Sequence, residues 1–136
     1  MTLKELSQLY YLNREIEMDK DRLEKLRTKA SGPSGPNLTG IPGGGSYENS
    51  IERYIAEIVD LEEIISAKIR QCEHERNRLE KYIADIDDSQ TRQIFTLKFV
   101  NGLNWVKTAE RVGGGNSADG VRQRVYRYLR TNKQKN

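Results

Sequence analysis

The sequence predicts an all-α chain, with a long N-terminal helical hairpin or coiled coil followed by a small domain of three short helices. Three observations lead there. Apolar residues recur at helical spacing on both sides of a single Gly/Pro-rich break. After residue 86 the long stripes give way to short apolar segments separated by cap and turn residues. Charge is divided along the same line: residues 1–88 hold 13 Lys and Arg against 18 Asp and Glu, a net −5, whereas residues 89–136 hold 10 against 2, a net +8. An acidic scaffold joined to a basic end has the charge layout of a polyanion-binding module.

The 136 residues suit one ordinary domain or two very small ones, and leave little room for a large enzyme with a deep cleft. Charged residues make up 32% of the chain, above the roughly 25% of an average globular protein, which fits half-solvated helices better than a thick core. The sequence has no apolar run of membrane-spanning length, and no membrane partner is expected. The opening MTLKELSQLY carries charges where an export signal has an apolar stretch, so a cytoplasmic location is expected. With one cysteine, Cys72, and one histidine, His74, neither a disulfide framework, a metal site nor a cofactor is expected. Cys72 lies on the apolar stripe and reads as a small buried hydrophobe.

The first stripe comprises Leu9, Leu12, Ile16, Leu23 and Leu26, interrupted by Asp19. Tyr10 and Tyr11 read as packing residues at the hairpin end. Residues 31–46 then hold all three prolines and six of the eleven glycines, and are expected to form a flexible loop. As a coil, 16 residues span roughly 20–24 Å, enough to permit a hairpin without forcing one. Beyond it, Ile51, Ile55, Ile58, Ile65, Ile69, Cys72, Leu79, Ile83 and Ile86 keep a heptad seam, with Glu62 and Arg76 at inner positions. Tyr54, Leu61, Ile64 and Tyr82 widen that stripe, as in a helix with more than one neighbour. Two helices enclose little volume, so self-association, most simply as a dimer, is expected to complete the burial. Asp19, Glu62 and Arg76 either pair to set the register or reach past the seam to water.

From residue 87 onward, Asp87, Asp88 and Ser89 offer helix caps. A first short helix carrying Ile94, Phe95, Leu97, Phe99 and Val100 should stop at Asn101-Gly102. Asn104 can cap a second, with Trp105, Ala109 and Val112 inside, which Gly113, Gly114 and Gly115 break. Ser117 can cap a third, over residues 117–130, with Val121, Val125, Tyr128 and Leu129 inside, and residues 131–136 are expected to fray. These are the proportions of a helix-turn-helix domain over residues 87–136, with residues 1–86 as the oligomerisation region. Away from the third helix's inner face lie Asp119, Arg122, Gln123, Tyr126 and Arg127, candidates for base contacts in the major groove. Lys107, Thr108, Arg111, Ser117 and Arg130 are the candidates for DNA backbone contacts. Nothing points to catalysis: Asp87-Asp88 reads as capping, and the GGGNS run lacks the Lys-Ser/Thr of a nucleotide-binding loop.

The stretch from Ser89 to Arg130 resembles the region 4 helix-turn-helix of sigma-70-type factors. It is more closely similar to small phage- and prophage-encoded regulators of the RinA and ArpU kind, which activate late genes. Gly102, Trp105, Ala109, Val112-Gly113, Ser117 and Val121 carry the resemblance, which covers 42 of the 136 residues in detail. It departs at the turn, where Gly114, Gly115 and Asn116 precede Ser117, two residues more than is usual in such domains. The resemblance implies a transcriptional regulator in a bacterial host cell, with double-stranded DNA and RNA polymerase as partners. Two other readings stay open at this level: a small terminase-like DNA-packaging protein, and a coiled-coil module that binds another protein. Six to eight Lys and Arg on phosphates would make log K fall with log salt at a slope of about −5 to −7.

Overall fold

The computed structural model describes residues 1–31 and 44–132. The chain is all-α: α1 (Leu3–Leu6), α2 (Gln8–Ser31), α3 (Gly44–Ala84), α4 (Ser89–Phe95), α5 (Trp105–Val112) and α6 (Ala118–Thr131). Among the described residues no helix is long and apolar enough to cross a membrane. Residues 32–43, most of the expected loop, lie outside the described residues, as do 133–136 of the expected frayed end. The helices take both edges of the break, Ser31 in α2 and Gly44 in α3, because every proline falls between them.

Two compact units emerge. The first combines Met1–Asn13 with Gln71–Asn136, and the second is Arg14–Arg70. The boundary expected at 86/87 therefore runs inside the first unit, whose three short helices share a core with the end of α3 and the start of the chain.

In the second unit α2 and α3 run antiparallel. Lys68 on α3 meets Glu15 and Asp19 on α2, Glu62 meets Arg27, and Tyr54 meets Lys29, so contacts descend α3 as they climb α2. Ile16, Leu23 and Leu26 on α2 and Leu61 and Ile65 on α3 are buried. This corrects the expected seam on α3. Ile55 and Ile69 are 50% and 39% exposed, while Leu61 is buried and Lys68 takes the inner polar position. Two columns flank the Ile58/Ile65 line, one through 54, 61 and 68, the other through 55, 62 and 69. Turning the first toward α2 buries Leu61 and gives Asp19 a cation, whereas turning the second would place Glu62 in the seam. Asp19 does pair across the hairpin, with Lys68 Nζ at 2.6 Å, rather than with Glu62 or Arg76. Glu62 and Arg76 are exposed.

In the first unit, Thr2 and Glu5 form a reciprocal capping box that starts α1. That pattern stands in the sequence ahead of Leu9, the first residue of the apolar stripe. Leu6, Leu9, Leu12, Cys72, Leu79, Ile83 and Ile86 are buried together with Ile94, Phe95, Phe99, Ala109, Val121 and Val125. Cys72 Sγ donates to Asn13 Oδ1 at 3.6 Å. An aromatic chain joins the short helices, from Tyr82 to Phe95, from Phe95 to both Phe99 and Tyr128, and from Phe99 through Trp105 to Tyr126, with ring centres 5.4–6.5 Å apart. Such spacings favour edge-to-face packing.

Local signals explain where these helices begin and end. Asp88 caps α4, its carboxylate accepting from Thr91 N at 3.0 Å and Thr91 Oγ1 at 2.7 Å. The helix continues into a single π-helical turn, Thr96–Val100, and stops at Asn101 and Gly102, the latter at φ +73°. Asn104 Oδ1 accepts from Lys107 N at 2.8 Å to start α5, and Ser117 Oγ accepts from Gly120 N at 2.9 Å to start α6. Between them Gly113, Gly114 and Gly115 are all at positive φ, a run of conformations that side chains with a Cβ rarely adopt.

Candidate nucleic-acid interface

Helix α6 is anchored by Val121 and Val125, both buried, with Tyr128 and Leu129 half-buried beside them. That inner face fixes what the others present. Gln123, Arg127 and Arg130 are exposed, and no ion pair engages either arginine among the described residues. Asp119 is exposed and pairs with Arg122 one turn later, so the two neutralise each other where base contacts were expected. Tyr126 is half-buried, its ring edge-on to Trp105 at 6.3 Å, which leaves only part of it to touch a partner. Ser117 is exposed, with its Oγ already serving as the helix cap.

On α5, Lys107 and Arg111 are exposed as expected. Arg111 borders a groove of about 530 Å³ that also takes in Ile83, Arg92 and Leu97. Thr108 is the correction. It is fully buried, so its hydroxyl is closed off from any DNA phosphate. At a spacing of three from Trp105 and four from Val112, position 108 falls on the inner face of this short helix beside Ala109.

Three basic residues turn inward. Arg124 donates to Asp88 Oδ2 at 2.6 Å and also bonds Gln90, tying α6 to the start of α4. Arg92 donates to the carbonyls of Ile86 and Asp87 at 2.6 and 3.0 Å, closing the connection after α3. Lys98 Nζ sits 4.6 Å from the centre of the Trp105 ring, and burial pushes its pKa down. The two hydrogen bonds from Thr91, with Arg124 close by, hold the Asp88 carboxyl below its ordinary range. Nothing in the one-dimensional pattern separates these cations from the exposed ones, because each depends on which helix crosses nearby.

Compared with family models, curated proteins and solved structures, the chain matches none of them. The assignment of a function therefore rests on its own residues.

Proposed function

We propose that this protein is a sequence-specific, double-stranded DNA-binding regulator of transcription, phage- or prophage-encoded, with α6 as the recognition helix. The observation that carries the reading is the outer face of α6: Gln123, Arg127 and Arg130 stand exposed, while the neighbouring Arg124 is held by Asp88 and Gln90. Arginine and glutamine side chains make paired hydrogen bonds to guanine and adenine edges in the major groove. In this reading Gln123 and Arg127 read bases, and Arg130, Lys107 and Arg111 hold phosphates. Arg122 joins them by exchanging Asp119 for the nucleic acid. The resemblance of residues 89–130 to sigma region 4-like regulators supports the same assignment, and makes RNA polymerase a proposed partner. Self-association through the long helices would present two such domains to half-sites one or more helical turns apart.

Binding to DNA fragments surrounding the protein's own gene, followed by fluorescence anisotropy at two salt concentrations, tests the proposal. With Arg92, Lys98 and Arg124 engaged internally, five described cations remain available: Lys107, Arg111, Arg122, Arg127 and Arg130. Log K should then fall with log salt at a slope of about −4 to −5, shallower than the whole basic segment would give. A slope near zero contradicts DNA binding.

A further inference from the structure

In the second unit α3 carries a second heptad seam beside the one that meets α2: Ile55, Val59, Glu62, Ser66 and Ile69, at spacings of 4, 3, 4 and 3. All five are exposed, Ile55 and Val59 by about half. A shallow groove runs past Val59, Glu62 and Ser66. Glu63 and Arg70 complete the lining of that groove, whereas the seam itself is apolar at both ends, with a carboxylate followed by a hydroxyl at its centre. Exposed apolar residues at heptad spacing are the knobs of a helix–helix interface.

We propose that this seam pairs with the same seam of a second copy of the chain, the two α3 helices running antiparallel. Complementarity selects both the occupant and its direction. A parallel, in-register pairing would set Glu62 against the partner's Glu62. Antiparallel pairing with Val59 opposite the partner's Ile69 also sets Glu62 opposite the partner's Ser66, twice over by symmetry. Each polar centre is then an acceptor facing a hydroxyl donor, bracketed by two Val–Ile layers. Glu62 enters partly neutralised, since Arg27 donates to its Oε2 at 3.1 Å, and Oε1 would accept from the serine. Ile55 lies just outside the central layers at each end. The overlap from 59 to 69 is about 15 Å of helix, so the dimer is a weak one that DNA half-sites would reinforce. The inference rests on the DNA-binding reading only for that reinforcement, because the surface itself is tested without DNA.

Sedimentation velocity of the full chain over a range of concentrations is the test, with circular dichroism confirming that each variant keeps its helix content. Val59→Glu and Ile69→Glu should each weaken the dimer by about 100-fold, because they place a carboxylate in an apolar layer. Ile64→Glu should leave it unchanged, since Ile64 is similarly exposed but lies on another side of α3. A chain that is monomeric throughout, or a dimer indifferent to both glutamates, overturns the proposal. Direction is read by oxidation in a Cys72→Ala background. Val59→Cys with Ile69→Cys should cross-link two chains, whereas efficient cross-linking of Val59→Cys alone would overturn the antiparallel register. DNA binding by the monomeric variants is measured separately: retained, weaker binding supports the DNA reading whatever becomes of the dimer, and its absence in every variant counts against that reading alone.

Discussion

Thr108 brings a hydroxyl to full burial, and its Oγ1 has no hydrogen-bond partner among the described residues. Burying such a group without compensation costs about 1–3 kcal/mol, and valine has nearly the same shape. Thr108→Val should therefore stabilise the protein by about 1 kcal/mol, seen as a rise of a few degrees in Tm. A fall would give the hydroxyl a role that the packing does not reveal. Tyr82 is a second buried hydroxyl. Burial, with Tyr128 nearby, pushes its pKa up to about 12 from an ordinary 10. The folded state thus favours the neutral phenol, and the stability this supplies is complete below pH 10 and lost as pH rises toward 12. A spectrophotometric titration should show Tyr82 and Tyr128 ionising above the ordinary phenol range, together with loss of helix. Ionisation of all tyrosines near pH 10 in a folded protein would contradict that packing. Asp88 works in the opposite direction. Its depressed pKa gives stability that is present above the ordinary carboxylate range and declines as pH falls through the folded value. Asp88→Asn should lower Tm at neutral pH and flatten its decline on acidification, a comparison made by thermal unfolding at several pH values.

At the scale of the helices, the polar layer of the hairpin separates stability from specificity. Lys68 bridges Asp19 at 2.6 Å and Glu15 at 3.2 Å inside an otherwise apolar seam, with a side chain 25% exposed. Replacing Asp19 and Lys68 together by leucine should raise Tm, because well-packed apolar residues commonly match or exceed a partly buried ion pair. It should also broaden the distribution of assemblies in sedimentation, since the layer that fixes register is gone. A lower Tm in the double variant would show the pair to be net stabilising. Much of this architecture was legible in the sequence. The α2 stripe with its interruption at Asp19, the caps at Asp88, Asn104 and Ser117, and the stops at Gly102 and Gly113 follow from periodicity and cap chemistry. The face of α3 did not. Ile55, Glu62 and Ile69 alternate with Tyr54, Leu61 and Lys68 at the same heptad spacing, and periodicity alone cannot decide which column meets α2. Lys68 reads as a surface residue until its partner across the hairpin, Asp19, is known. The π-helical turn at Thr96–Val100 left no mark in the pattern either, since it changes the hydrogen bonding without changing which residues are apolar. At the candidate interface the sequence separated the outer from the inner face of α6. It did not single out Arg124, Arg92 and Lys98, whose partners come from other elements, or the burial of Thr108.

For the molecule as a whole, an acidic helical scaffold carries a basic three-helix end whose exposed cations are a subset of its total. The π-helical turn and the glycine turn set where α5 and α6 lie, and the clamp from Arg124 to Asp88 and Gln90 holds α6 against the start of α4. Arg124→Ala should thus reduce DNA affinity through loss of helix position, with a Tm lower than wild type, whereas Arg127→Ala should reduce affinity at unchanged Tm. The central claim is that the outer face of α6 reads DNA. Its most direct test is anisotropy of full-length wild type, Gln123→Ala and Arg127→Ala on fragments around the gene, at two salt concentrations. Tight, salt-sensitive binding of wild type to one fragment is expected, with each variant losing about 1–3 kcal/mol of discrimination for that fragment over the others. Binding that is equally weak on every fragment, and indifferent to both substitutions, would contradict it.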